Sequence, residues 1–102
     1  MSTTLRQARL TIRAQGLHAV EGDLTFGSVA ALWPQGVALL RQGVPLELDL
    51  SGVGLADSAG LALLVAWQAQ ARAEGCPLRY ASVPERLLAI SRISEADSLL
   101  GG

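Results

Sequence analysis

The sequence lacks the residues that most covalent, metal and nucleic-acid sites need. It contains one cysteine and one histidine in 102 residues, which excludes an intrachain disulfide and a cysteine-based metal cluster. Its net charge of −1 excludes the strongly basic surface with which proteins bind nucleic acids. We therefore expect no cofactor, no metal and no nucleic-acid partner. Cys76 is expected to be a small buried hydrophobe beside a strand.

Long apolar segments are also missing. The longest apolar run, residues 61–67, is far shorter than the roughly 20 residues that a membrane-spanning helix requires. Residues 1–6 mix polar and apolar side chains and have no signal-peptide pattern. Half of the residues are apolar and 17% are charged, a balance typical of a folded domain rather than a disordered chain. We expect a single cytoplasmic domain over residues 1–102.

Alternating strand and helix patterns predict an α/β fold. Because strands and helices follow one another along the chain, we expect one mixed sheet of about four strands flanked by three to four helices. The third strand, the helix after it and the fourth strand should form a right-handed parallel crossover. The predicted strands are 9–14, 17–21, 46–50 and 77–81. The predicted helices are 25–42, 58–74 and one beginning near Pro84, and residues 95–102 are compatible with a last helical turn. Pro34 interrupts the first helix, so residues 35–42 are either a second segment or a kinked continuation.

The segment between the third strand and the next helix is the most informative part of the sequence. Residues 51–56 are typical of a short loop, and Asp57 and Ser58 follow at the start of the helix. Either side chain can cap the free N–H groups of the first turn. Gly60 weakens the helix relative to alanine by up to about 1 kcal/mol. It therefore indicates that another backbone or side chain approaches closely.

Ser58 does not lie in a catalytic motif. The Gly-x-Ser-x-Gly pattern of hydrolases is absent, and no P-loop precedes the helix. His18 lies within the second predicted strand and is expected at the surface or on an edge strand. We therefore predict that the chain is not an enzyme, with a small serine hydrolase as the least favoured alternative.

The two tryptophans favour a binding surface. Leu63 and Trp67 lie four residues apart on a helix flank other than the one that carries Leu61 and Leu64, and Trp33 immediately precedes Pro34. Core packing explains each tryptophan alone at least as well. Together, near a capped helix start, they favour an exposed interface, because tryptophan is enriched in binding hot spots.

These residues resemble a known family. Residues 46–61 look like the signature of the STAS domain, a small sheet flanked by helices that also occurs in bacterial anti-sigma factor antagonists. Within that superfamily, residues 21–25 followed by 32–33, residues 57–64 and residues 83–87 are most similar to the MlaB family, cytoplasmic subunits of the Mla ABC transporter of phospholipids. The resemblance covers nearly the whole chain, and residues 57–64 are its most specific part.

The resemblance implies a non-catalytic subunit at the cytoplasmic face of the inner membrane, without insertion into it. Its expected partner is the MlaF-like ATPase of the transporter and, through that ATPase, the permease and other Mla subunits that maintain outer-membrane lipid asymmetry. Trp33 and Ser58 match positions associated with this contact, although threonine is common where Ser58 stands. The predicted partner-binding residues are Trp33, Asp57, Ser58, Ala59, Gly60, Leu63 and Trp67. The alternative is an anti-sigma factor antagonist regulated by phosphorylation of Ser58, since that family's matching serine is phosphorylated by a partner kinase.

Overall fold

Strands and helices alternate along the chain, as the sequence predicts. The computed structural model describes the backbone of residues 8–93 and the side chains of residues 8–90. The expectation for residues 95–102 lies outside this range. In chain order the elements are β1 (Arg9–Ala14), β2 (Leu17–Leu24), α1 (Phe26–Leu40), β3 (Leu46–Ala56), α2 (Ser58–Glu74), β4 (Leu78–Ala81) and α3 (Glu85–Ile93).

The strands form one mixed sheet of four in the spatial order β1-β2-β3-β4. β1 pairs antiparallel with β2, whereas β2, β3 and β4 run parallel. Parallel neighbours need a crossover connection, and α1 and α2 supply the two that this sheet requires. The predicted mixed sheet of about four strands is therefore confirmed, as is the parallel pairing of β3 with β4.

The two central strands are longer than predicted. Residues 51–56, expected to be a loop, continue β3 because they pair with the end of β2, where Glu21 lies opposite Gly52 and Leu24 opposite Ala56. The register shifts twice along this stretch, as at β-bulges. Glycine and aspartate at 22, 23, 52 and 54 give a loop-like composition. Pairing between strands overrides that local preference.

α1 is one continuous helix with Pro34 inside it, so of the two alternatives after Pro34 the continuation is correct and the separate second segment is wrong. Proline supplies no N–H to the carbonyl four residues earlier, and here packing of the helix against the rest of the domain outweighs that loss. The buried positions of α1 are Leu32, Gly36, Val37 and Leu40. Phe26 and Trp33 lie on the exposed side of the helix.

The core lies between the sheet and the helices. Leu46, Leu48 and Leu50 of β3 are buried, and Leu61 and Leu64 of α2 are buried in the same cluster. The alternation of β3 places its three leucines on one face. Cys76 is also buried, which confirms its expected role as a small hydrophobe. Its thiol donates a hydrogen bond to the carbonyl of Val44 at 3.0 Å.

Tyr80 connects the sheet to α2 through a buried hydrogen bond and makes stability dependent on pH. Its hydroxyl donates to the carbonyl oxygen of Leu64 at 2.6 Å, and burial raises the pKa of the phenol far above its ordinary value. Above about pH 10 the unfolded chain loses the phenol proton while the folded chain keeps it. The free energy of unfolding should therefore fall with rising pH, by up to about 1.4 kcal/mol per unit.

Tyr80→Phe tests this dependence. The variant should be about 1 kcal/mol less stable near neutral pH because the hydrogen bond from the phenol to the Leu64 carbonyl is lost, yet its stability should decline less between about pH 10 and pH 11. Urea unfolding followed by circular dichroism measures both quantities. Equal declines for the variant and the wild type would contradict the assignment.

Trp67 lies between α1 and α2 rather than on the surface. Its side chain is fully buried, and Leu63 is only 6% exposed. The indole nitrogen of Trp67 donates to the carbonyl oxygen of Trp33 at 3.2 Å, and the ring lies directly against Gly36. The prediction that Leu63 and Trp67 form an exposed flank is wrong, because α1 packs over that side of α2.

Gly36 leaves the space that the Trp67 ring fills. A Cβ atom at this position would overlap the indole, so Gly36→Ala should force the two helices apart and cost about 1–3 kcal/mol. Gly27→Ala is the matched control on the same helix, because no atom lies within 4 Å of a Cβ built there. The control should be neutral or gain up to about 1 kcal/mol. Chemical denaturation compares them, and equal effects would refute this packing argument.

His18 is placed differently from the expectation. β2 is an inner strand, and His18 is half-buried on it, so His18 lies neither on an edge strand nor fully exposed at the surface.

None of the helices within the described residues is long and apolar enough to cross a membrane.

Candidate protein-docking surface

The site forms where the carboxyl ends of β2 and β3 meet the starts of α1 and α2. Asp57 caps α2, since its Oδ1 accepts hydrogen bonds from the backbone N–H groups of Ala59 at 2.9 Å and Gly60 at 3.2 Å. Ser58 is the first residue of the helix and is exposed. Of the two candidate caps, Asp57 therefore has that role, and the Ser58 hydroxyl lies on the surface.

The same carboxylate also contacts the start of α1. Its Oδ2 accepts from the backbone N–H of Phe26 at 3.2 Å. Helix starts carry partial positive charge, so the negative charge of Asp57 stabilises the starts of both α1 and α2. Locally, the α1 start is closed by Ser28, whose Oγ accepts from the Thr25 N–H at 3.0 Å and donates to the Asp23 carbonyl at 2.7 Å.

Asp23 fixes the end of β3. Its side chain is 93% buried, with a relative exposure of 7%, and its Oδ1 accepts from the backbone N–H of Leu55 at 2.9 Å. This bond holds the last residues of β3 against the end of β2. The Leu55 side chain is consequently presented outward, 61% exposed.

Gly60 allows the end of β2 to approach α2. A Cβ atom at this position would overlap the carbonyl oxygen of Leu24, and the glycine is buried. The predicted close approach is confirmed. The approaching group belongs to this chain, however, so Gly60 is packed internally and is not available to a partner.

Exposed apolar side chains lie on the outer side of α1 and at the end of β3, the strand that leads to Ser58. Phe26 is 82% exposed and Trp33 is 37% exposed, and their separation of seven residues places them on one side of α1, two turns apart. α1 contains no charged residue. We call the exposed set Phe26, Ala30, Trp33, Leu55 and Ser58 the docking surface.

The structure brings together part of the predicted site. Trp33 and Ser58 lie on the docking surface, and Asp57 and Ala59 are half-buried beside it. The remaining predicted contacts, Gly60, Leu63 and Trp67, are buried. Phe26 and Leu55 are functional candidates that the sequence did not reveal. For Phe26 a signal was present in α1, whose charge-free outer side is unusual for a solvated helix.

His18 and Ser58 do not form a catalytic pair. His18 lies opposite Leu48 near the start of β3, whereas Ser58 follows the end of that strand. A strand rises about 3.3 Å per residue, so His18 and Ser58 are separated by about 25 Å. No group of three or more histidine, cysteine, aspartate or glutamate side chains within the described part of the chain could hold a metal ion.

Comparison with known proteins identifies the family. Residues 6–101 match a family model described as Mlab, STAS domain. The chain belongs to the MlaB-type STAS family. Its strand order and helix placement are those of a STAS domain, a class of domains that in general regulate or bind other proteins. Among curated proteins, none matches this sequence significantly.

Solved structures confirm the STAS fold. The unphosphorylated anti-sigma factor antagonist SpoIIAA is 13% identical with a TM-score of 0.64, and the match covers 93% of this chain and 98% of SpoIIAA. Phosphorylated SpoIIAA from Bacillus is 12% identical with a TM-score of 0.67, covering 90% and 86%. A STAS domain protein from Planctomyces limnophilus is 18% identical with a TM-score of 0.67, covering 91% and 86%.

Proposed function

We propose that this MlaB-type STAS chain is a non-catalytic subunit that binds the ATPase of an Mla-type ABC phospholipid transporter. It would do so at the cytoplasmic face of the inner membrane, supporting the assembly and activity of the transporter in maintaining outer-membrane lipid asymmetry. The observation that carries the proposal is the docking surface, in which every residue but Ser58 is apolar. Membership of the MlaB-type family supports the choice of partner.

The chemistry of the docking surface favours a protein partner with an apolar face. Phe26 and Leu55 are exposed by 82% and 61%. Large apolar side chains exposed together on one surface mark interaction sites. The other large exposed apolar side chains described, Ile12 and Val44, lie toward the opposite end of the sheet. The Ser58 hydroxyl adds one polar contact within the apolar surface.

Binding of this kind can stabilise a folded ATPase, and the bound subunit needs no catalytic activity to do so. A subunit that binds only the folded form of its partner stabilises that form by mass action, by about 2.7 kcal/mol at a concentration of 100 times Kd. Contact with the permease and the other Mla subunits would then pass through the ATPase.

Co-expression with the ATPase encoded in the same genome tests the proposal. The two chains should elute together in size-exclusion chromatography, and the ATPase should be more soluble and hydrolyse ATP faster with this subunit than without it. Separate elution, together with unchanged ATP hydrolysis, would contradict the proposal.

A second candidate is an anti-sigma factor antagonist that is switched by phosphorylation of Ser58. It is favoured by the exposure of Ser58 at the start of α2 and by the similarity of the fold to SpoIIAA, known in phosphorylated and unphosphorylated forms. A phosphate there would suit the helix dipole but would crowd Asp57 and be desolvated in an apolar interface, so it should release the partner. Intact mass spectrometry of protein from native cells would show a persistent phosphoryl group if this candidate is correct.

A further inference from the structure

The carboxylate of Asp57 already accepts most of the hydrogen bonds that it can, all of them from this chain. Oδ1 accepts from the N–H groups of Ala59 and Gly60, and Oδ2 accepts from the N–H of Phe26, 31 residues earlier. A carboxylate has about four acceptor sites, and three are used. Asp57 is therefore poorly suited to the partner contact that its position in the sequence suggests.

The bond to Phe26 joins two parts of the docking surface. The Phe26 side chain is 82% exposed, so side-chain packing does little to fix it. The bonds of Thr25 and Ser28 are local: they shape the first turn of α1 but do not place it against α2. The Asp57 carboxylate reaches both helices.

We infer that Asp57 is a positioning residue of the docking surface, holding Phe26 at the start of α1 beside Ser58 at the start of α2. This inference rests on the proposed function, because it explains how the surface that the partner would contact is assembled. Asp57 acts through Phe26 and not by touching the partner.

Two substitutions separate the two roles of the carboxylate. Asparagine and serine are good helix caps, and each offers one oxygen that can accept from the α2 N–H groups. In Asp57→Asn the second oxygen becomes an NH₂ group, which cannot accept from Phe26. Asp57→Ser has no second group at all. Both variants should therefore keep the α2 cap and lose the bond to α1.

Amide NMR of the free protein tests the bond without any partner. In Asp57→Asn and Asp57→Ser, the Phe26 amide proton should move upfield and exchange with solvent on the order of tenfold faster, while the Ala59 and Gly60 amides stay protected. Asp49→Asn is the matched control, since Asp49 accepts from the Ser51 N–H at 2.9 Å on β3. It should leave the Phe26 amide unchanged. An unchanged Phe26 amide in both Asp57 variants would overturn the inference.

Affinity for the co-expressed ATPase is the second measurement. Both Asp57 variants should bind on the order of tenfold more weakly than the wild type, and Phe26→Ala should lose at least as much. If Phe26→Ala abolishes binding while both Asp57 variants bind normally despite a shifted Phe26 amide, the positioning role is refuted. If the wild type does not bind the ATPase, the proposed function fails, and the NMR measurement on the free protein still decides whether Asp57 holds Phe26.

Discussion

Ser58→Asp should reduce affinity for the ATPase by on the order of a hundredfold while leaving the fold intact. Ser58 is exposed at the first position of α2, where a carboxylate is compatible with the helix dipole. In the complex the new charge would be buried within the mainly apolar docking surface, and an unpaired buried charge is strongly unfavourable. Isothermal titration calorimetry with the purified ATPase measures the loss.

Ser58→Thr is the matched control for this variant. It keeps the hydroxyl and adds only a methyl group, so its affinity should stay within about threefold of the wild type. Circular dichroism and thermal unfolding should be similar for the two variants and the wild type. If Ser58→Asp binds as tightly as Ser58→Thr, Ser58 does not lie in the interface.

Trp67→Ala should destabilise the protein by about 3–5 kcal/mol, because it removes a fully buried ring and leaves a cavity between α1 and α2. The indole bond to the Trp33 carbonyl is lost as well. This is a large part of the 5–15 kcal/mol typical of a domain of this size. Urea denaturation of the isolated protein measures it.

Trp33→Ala is the same substitution on the docking surface. It should reduce affinity for the ATPase much more than it reduces stability. Trp33 is 37% exposed, so the stability loss should be about 1–2 kcal/mol, smaller than that of Trp67→Ala because less apolar area is removed from water, whereas affinity for the ATPase should fall by on the order of thirtyfold or more. Equal losses of stability for the two tryptophan variants would contradict their assignment to core and surface.

Much of the fold was predictable because its signals are local. The strand at 9–14 and the helix at 58–74 have the predicted bounds. The alternation of polar and apolar residues indicates the strand. Asp57 and Gly75, as cap residues, indicate where the helix begins and ends. Gly75 adopts the left-handed conformation expected of a helix end, with φ of 66°. The length of β3 was not predictable in this way, because its last residues are strand only through pairing with β2.

The candidate site was predictable in its chemistry but not in its exposure. Asp57 and Ser58 mark a helix start on their own, and Trp33 follows from family resemblance. Which tryptophan is buried depends on Gly36, 31 residues before Trp67 in sequence, whose missing side chain admits the ring. The exposure of Phe26 and Leu55 likewise depends on bonds from Asp57 and Asp23, which join residues more than 30 positions apart.

The most direct test of the proposed function is affinity purification of the tagged chain from its native cell, followed by mass spectrometric identification of proteins that co-elute in stoichiometric amounts. We predict an ABC transporter ATPase together with a membrane permease, both lost when the bait carries Ser58→Asp. Recovery of an anti-sigma factor or its kinase, without an ABC ATPase, would contradict the account.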